Sequence, residues 1–358
     1  PEEAGNWVEY CNGTGNSYYA NLRRSHGYEQ PFNVKYWCIG NESYAEPDIG
    51  IHHDVLFYIR DAWEFIKVMK LTDDSIKTIV VGCEKIEWNK QVLDSLQSVT
   101  DYFSIHHYSG ESNKGIYGPF EGEKHLTDLL KEVSVLIDTY PEQVKDFNPW
   151  YRFSPRSEKI QIALDEWNIW DFKEDETYGL HQIYCWRDAL WVASVLNLLL
   201  RTPSVGMANM AQMVNVIAPI VAEETGSWFQ TIGYPLKLYR KLMRGERMDL
   251  EFKSPVLDVS DVGEIELLSI SAVNAENGTI YLAVVNRDME KECVICLSDE
   301  KQKEREYVLK ELSMISLTAE SPRAVCSLKE CCVKERMKKV SAEEIILEPG
   351  SINIITIE

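Results

Sequence analysis

The chain has 358 residues, room for two domains at the usual ~100–200 residues each. Its 37 Lys and Arg against 57 Asp and Glu give a formal net charge of −20, which argues against a nucleic-acid or anionic-membrane partner. At 45% hydrophobic and 26% charged it has the composition of a folded protein, which sets aside disorder.

From about residue 34 to 240, short β-rich runs alternate with longer runs of helical period, the pattern of βα units around a parallel sheet. In chain order, strands are predicted at Val34–Ile39, Thr78–Gly82, Tyr102–His106 and Ile160–Leu164, with a less regular one around Val205–Val214. Helices are predicted over Val55–Lys70, Asp128–Thr139, Leu180–Leu200 and Trp228–Met243. The first has apolar residues at three- and four-residue steps (Val55, Ile59, Trp63, Ile66, Met69), so one face packs inward. The most apolar stretch, Ala189–Leu200, is too short to span a bilayer and contains Asn197, so it reads as a buried helix. From Leu250 onward short alternating strands take over: Ile265–Ala272, Thr279–Val285, Cys293–Leu297, Tyr307–Leu312 and Ile352–Ile357. Asn277-Gly278 marks a tight hairpin between the first two, because both residues tolerate positive φ. Asp299–Glu306 is a charge run, expected to be a solvated loop. The predicted organisation is therefore an α/β domain over residues 1–244 followed by an all-β sandwich over 245–358.

Nine cysteines, an odd number in a long chain, do not read as a disulfide framework. Cys293 and Cys296 have CxxC spacing but lie in an alternating apolar run, and are expected to be buried strand thiols. A reducing, cytoplasmic setting follows. The text opens at Pro1 without an initiator Met, so the true N-terminus, and any signal peptide, is expected upstream.

Polar segments follow the predicted strands: Gly40-Asn41-Glu42, His107-Tyr108 and Asp165-Glu166-Trp167-Asn168. Reactive residue types at strand C-termini are the signature of a (β/α)8 active site. Glu42 and Glu166, each beside Trp and Asn, could face one cleft and divide glycoside hydrolysis between a proton donor and a nucleophile. Spacing and composition alone favour reading them as solvent-facing loop acids. The ten Trp suit either a large core or a site that stacks sugar rings. The pairs His52-His53 and His106-His107 lack acidic neighbours at ligand spacing, so no metal and no cofactor is expected.

The wording KYWCIGNE (35–42) and ALDEWNIW (163–170) resembles glycoside hydrolase family 51, the α-L-arabinofuranosidases. WVEYCNG (7–13), QPFNVKYW (30–37), SIHHY (104–108), RDAL (187–190) and MANMAQMVNVIAPI (207–220) resemble it in the same order. The resemblance implies a (β/α)8 TIM barrel, here partial with strands 4–8, and a β-sandwich. The first thirty or so residues would then be the end of helix 3 and its loop. Strands 1–3, and some sugar contacts, would belong to a missing N-terminal segment. It further implies that Glu42 is the general acid/base and Glu166 the nucleophile of a retaining mechanism. Asn41, Tyr108 and Gln212 would contact the sugar, Trp170 would form part of an aromatic wall, and His106 would support the carboxylates from behind. The implied substrates are arabinose-decorated oligo- and polysaccharides such as arabinan and arabinoxylan, and a homo-oligomer stays open. Two alternatives remain: the same machinery acting on xylosides or β-glucans, or a truncated, non-catalytic carbohydrate-binding remnant.

Overall fold

The computed structural model describes all residues except 46–49, 53, 111, 172–179, 181, 299–311 and 358, with the side chains of 112 and 113 also left out. His53, the charge run Asp299–Glu306 and all of the predicted Tyr307–Leu312 strand but Leu312 lie outside the described residues. In chain order the elements begin α1 (Glu2–Asn12), α2 (Tyr18–Ser25), β1 (Tyr36–Ile39), α3 (Val55–Thr72), β2 (Lys77–Val81), α4 (Ile86–Leu96) and β3 (Tyr102–Ser109). They continue with α5 (Gly118–Ile137), β4 (Gln161–Ile169), α6 (Trp186–Arg201), β5 (Val205–Met210), β6 (Ile220–Glu223), β7 (Gly226–Phe229) and α7 (Gly233–Leu242). Short strands follow: β8 (Glu246–Met248), β9 (Val256–Val259), β10 (Gly263–Glu266), β11 (Leu268–Asn274), β12 (Ile280–Asn286) and β13 (Cys293–Ile295). The last four are β14 (Leu312–Thr318), β15 (Lys334–Val340), β16 (Ile345–Leu347) and β17 (Ser351–Ile357).

Two compact units interleave along the sequence: residues 1–106, 128–166 and 204–209 form one, residues 107–127, 167–203 and 210–358 the other. The first is organised by a sheet whose strands lie in sequential order β1-β2-β3-β4-β5. β1 pairs with β2, and β2 with β3, in parallel. The backbone bonds Gln161 N to Asp101 O and Ile162 N to Ser204 O carry the order on to β4 and β5. Sequential parallel strands joined by helices are the (β/α) barrel pattern, and among the described residues β1 and β5 are the sheet's edges. The strand text is β-branched and apolar on both faces of the sheet: Thr78, Ile79, Val80, Val81, Phe103, Ile105, Ile162, Ala163 and Leu164 are all buried. Against the expectation of a helix end and loop, the N-terminal residues form two helices, and α1 packs on α3 so closely that a Cβ on Gly5 would lie 2.7 Å from Val68 Cγ1.

Gly82, just after β2, sets one of the tightest contacts. A Cβ there would lie 2.3 Å from the Phe103 ring and 2.5 Å from the Ser104 carbonyl oxygen, which already accepts from Gly82 N at 3.0 Å. Gly82→Ala must push β2 and β3 apart, so a loss of about 3 kcal/mol is expected in urea unfolding.

The second unit contains a six-stranded antiparallel sheet of order β15-β14-β17-β12-β11-β8. One face buries Ile270, Leu282, Val284, Met314 and Ile355 against Ile345 and Leu347 of the β13–β16 pair, making a sandwich core. The other face meets α6 through polar hubs. Asn197 donates to Ser269 O (2.9 Å) and accepts from Ser271 Oγ (2.6 Å) and Tyr239 OH (2.8 Å), which explains an Asn in an apolar helix. The outer strand β15 exposes Lys334, Glu335, Arg336, Lys338 and Lys339, charges that discourage edge pairing.

Several predicted boundaries move. The Trp228–Met243 helix begins only at Gly233, because Glu224-Thr225 turns the chain into the β6–β7 hairpin and Trp228 lies in β7. The Leu180–Leu200 helix begins at Trp186, where the Asp188 carboxylate accepts from Cys185 N and caps the first turn. The Asp128–Thr139 helix begins ten residues earlier, since Pro119 is compatible with a first turn. Ile265–Ala272 is two strands that part at Leu267, whose N–H bonds Pro255 O. In the hairpin at Asn277-Gly278 only Gly278 takes positive φ (+85°), with Gly278 N bonding Ala275 O, so the turn is longer than the two-residue form. Cys296 is exposed and Cys293 half-buried, not the buried pair expected. No helix among the described residues is long and apolar enough to cross a membrane.

Candidate active site

In the first unit the C-terminal ends of β1, β3 and β4 bring together residues far apart in sequence. Tyr58 of α3, fully buried, donates to Ile39 O and accepts from Val81 N, both at 2.8 Å, and so fixes the ends of β1 and β2. Beyond β1 the chain turns sharply. Gly40 has φ +103°, where a side chain would be strained and a Cβ would lie 2.7 Å from Ser43 Oγ. Glu42 itself has φ +40°, an uncommon conformation for a residue with a Cβ and of the kind concentrated at functional sites.

On β3, Ser104, His106 and Tyr108 occupy alternate positions and so share one strand face. His106 Nδ1 lies 2.8 Å from Glu42 Oε1 and 3.5 Å from Glu166 Oε2, while its Nε2 lies 3.6 Å from Asp165 Oδ1. One oxygen each of Glu42 and Glu166 and a nitrogen of His106 all fall within 4.8 Å of one another. The two carboxylates therefore face one space. The carboxylates around His106 come from sequence-distant strands, which corrects the expectation that it lacks acidic neighbours; His52 likewise meets Asp61 at 3.2 Å. The trio is compact enough to surround a cation, but the His106–Glu42 hydrogen bond already accounts for its closeness, and no metal is assigned.

Asp165 is the residue that sequence reasoning left without a role. It accepts from Ser104 Oγ at 2.7 Å and from Cys38 Sγ at 3.6 Å, so β1, β3 and β4 converge on one carboxylate beside His106. Burial, and the negative Asp165 and Glu166 beside it, push the Cys38 thiol up to about 12. The signal available was the placement of Ser104 two residues before His106.

In the second unit, the Tyr108 and Trp170 rings pack edge to face at 5.8 Å, and Trp170 N bonds Ser109 O at 2.7 Å. Asn168, fully buried, donates to Ala211 O (2.6 Å) and Ile217 O (2.5 Å), holding the segment that carries Gln212. The Ala211–Gln212 peptide is cis and the Gln212 side chain is exposed. Trp167 and Asn168, which belong to the polar segment expected after the strand, are 2% and 0% exposed and belong to the core. Asn41 is exposed in the first unit, directly before Glu42.

The adjacent histidines are tuned in opposite directions. Burial alone would lower His106, but the Glu42 hydrogen bond and the charges of Glu166, Asp165 and Glu42 outweigh it and raise it. His107 is pushed down to about 4, chiefly by burial. NMR titration should show one imidazole with a midpoint above the usual ~6.5 and its neighbour neutral until about pH 4. The signs follow. The raised His106 stabilises the fold fully below ~6.5, and that contribution fades as pH rises through its higher folded value. The lowered His107 stabilises above ~6.5, and about 3 kcal/mol is lost as pH falls towards 4.

Residues 1–125 match the family profile described as alpha-L-arabinofuranosidase 1 domain, and residues 165–343 that of the alpha-L-arabinofuranosidase C-terminal domain. Among curated proteins, the chain is 34% identical to a "Probable alpha-L-arabinofuranosidase C" of Aspergillus flavus, over 81% of this chain and 60% of the relative. It is also 34% identical to "Intracellular exo-alpha-(1->5)-L-arabinofuranosidase 1" of Bacillus subtilis, over 80% of this chain and 59% of the relative. The chain thus spans about 60% of the length of these curated relatives. Among solved structures, the GH51 α-L-arabinofuranosidase of Thermotoga petrophila superposes with a TM-score of 0.84 at 30% identity, covering 100% of this chain and 73% of that one.

Proposed function

The chain belongs to the α-L-arabinofuranosidases of glycoside hydrolase family 51, and on that premise we propose that it carries the catalytic carboxylates of a retaining α-L-arabinofuranosidase. The observation that carries the proposal is the pair of carboxylates, from the ends of two different strands, whose oxygens approach within 4.8 Å. In this reading Glu166 attacks the anomeric carbon of a terminal arabinofuranosyl residue while Glu42 protonates the departing oxygen. Glu42, then ionised, takes a proton from water, and the water releases arabinose with retained configuration. His106 shares a 2.8 Å hydrogen bond with Glu42, and the surrounding carboxylates move its titration upward, so the two groups are coupled while Glu42 alternates between acid and base. Asn41, Tyr108, Gln212 and Trp170 are assigned to the sugar: an amide for the 2-hydroxyl, a phenol and a second amide for the other hydroxyls, and an indole for the ring face.

The substrate class we infer is α-(1→5)-linked arabinan and its oligosaccharides, together with arabinoxylan. The Bacillus subtilis relative, named for exo-α-(1→5) action and as intracellular, supports that class and a cytoplasmic setting. We also read residues 1–244 as barrel and 245–358 as sandwich, a division supported by the run of strands from Glu246 onward. The test is release of arabinose from arabino-oligosaccharides and of nitrophenol from a nitrophenyl α-L-arabinofuranoside. It should be run on this chain and on the in-frame product of any upstream codons. Arabinose with α configuration at first release supports the reading. Release of xylose or glucose in its place, or sugar binding without turnover by both proteins, overturns it.

A further inference from the structure

We propose that Cys326 and Cys332 are a thiol-oxidation site that closes reversibly into a disulfide in the segment between β14 and β15. The two Sγ atoms lie 3.0 Å apart, closer than unbonded sulfurs rest in van der Waals contact, and Cys332 N reaches Cys326 Sγ at 3.4 Å. The cause is local. Ser327 N bonds Glu330 O at 2.8 Å and Glu330 N bonds Ser327 O at 3.3 Å, a tight turn that folds Cys326 back onto the Cys331-Cys332 pair. Cys331 is engaged elsewhere, 2.9 Å from Tyr234 OH and 3.4 Å from Val333 O. A metal does not explain the cluster, since among the described residues the compact ligand group contains no cysteine.

The segment bearing this pair braces a helix. Its Ala324 and Pro322 carbonyls accept from Trp186 N and Arg187 N, both at 2.9 Å, and Val325 forms a β-bridge with Cys185. These are N-terminal N–H groups of α6 that the helix cannot satisfy itself. Arg187 in turn holds Gly115 O at 2.7 Å and Asp171 at 3.6 Å. Closing the disulfide staples the brace in place, and opening it frees the segment to leave the helix start.

The chemistry needs a disulfide oxidant of the glutathione class. The Cys332 thiolate attacks one sulfur of the oxidant, whose S–S bond breaks, and the first thiol leaves carrying the proton that Cys332 lost. The Cys326 thiolate then attacks Cys332 Sγ and expels the second thiol, so the protein gives up two electrons and two protons and the oxidant gains both. Burial, with the Cys326 sulfur alongside, pushes the Cys332 thiol up, so thiolate is scarce at neutral pH and the exchange is slow. In a reducing compartment the bond is correspondingly transient.

The test uses the whole chain incubated with oxidised glutathione, then alkylated and digested with trypsin without reductant. Cleavage after Arg323, Lys329 and Lys334 separates the two cysteines into peptides 324–329 and 330–334. The expected result is a link between these peptides, an intact mass lower by about 2 Da, and reversal by dithiothreitol. The link should persist in Cys331→Ser and vanish in Cys326→Ser and Cys332→Ser. Oxidation should raise the thermal midpoint by a few degrees in the parent and in Cys331→Ser, and slow amide exchange at Trp186 and Arg187. Closure of Cys331 on Cys332 within peptide 330–334, a link that survives in Cys332→Ser, or glutathione adducts alone would each overturn the proposal.

Discussion

On the proposed reading, and in the product that includes any upstream codons, Glu166→Ala is expected to abolish turnover of every arabinofuranoside, whatever its leaving group, with a loss of roughly 10⁴ or more in kcat. The argument is chemical: without the carboxylate there is no atom to form the glycosyl-enzyme bond, and a better leaving group does not create one. Glu166 is about half-buried and its neighbour His106 keeps Glu42 at 2.8 Å, so the fold should survive the change and the thermal midpoint should move little. The variant carries a second signature that needs no substrate. Removing a negative charge 3.5 Å from His106 Nδ1 should lower the titration midpoint of that imidazole. Unchanged turnover together with an unchanged His106 titration would remove Glu166 from the site altogether. If Glu166 were an ordinary surface acid, its removal would leave rates within a few-fold of the parent.

The parallel strands were legible because β-branched, apolar runs such as Thr78–Val81 can hardly be anything but buried strands at that length. Their ends were not. Asp165-Glu166-Trp167-Asn168 reads as loop by composition, yet β4 runs through it to Ile169, because Trp170 N finds Ser109 O at the end of β3 and Trp167 O accepts from Ala211 N just past β5. Backbone pairing, which carries no composition signal, decides the boundary. The same extension decides which side chains face the cleft. Asp165 and Glu166 are successive residues, yet both approach His106, a departure from strict alternation that no periodic reading could supply. Glu42 and Glu166 were visible as motifs, but their approach, and the His106 bridge across 64 residues of sequence to Glu42, are properties of the folded sheet. The polar hub at Asn197 shows the converse. An amide in an apolar helix signals a buried partner, but that the partner is a pair of serines on β11 appears only when sheet and helix meet.

On the same reading and in the same product, Glu42→Ala should be costly in a way that depends on the leaving group. A nitrophenolate departs without a proton, so glycosylation of Glu166 by an activated arabinofuranoside should proceed at close to the parent rate. A sugar hydroxylate cannot leave unassisted, so turnover of arabino-oligosaccharides should fall by about 10²–10⁴. The second step suffers with every substrate, because the base that takes the proton from water is gone. The arabinosyl-enzyme should therefore accumulate, visible as a burst of nitrophenol followed by a slow steady state, and as added mass on the peptide holding Glu166. Azide is already an anion and needs no base; entering the space that the Glu42 side chain vacated, it should speed release and give an arabinosyl azide of retained configuration. Loss of the hydrogen bond from His106 adds an independent check, since the imidazole midpoint should drop when its nearest carboxylate, at 2.8 Å, is removed. A variant that loses activated and natural substrates equally, and that azide does not rescue, would take the acid/base role from Glu42 while leaving the nucleophile where the first prediction puts it.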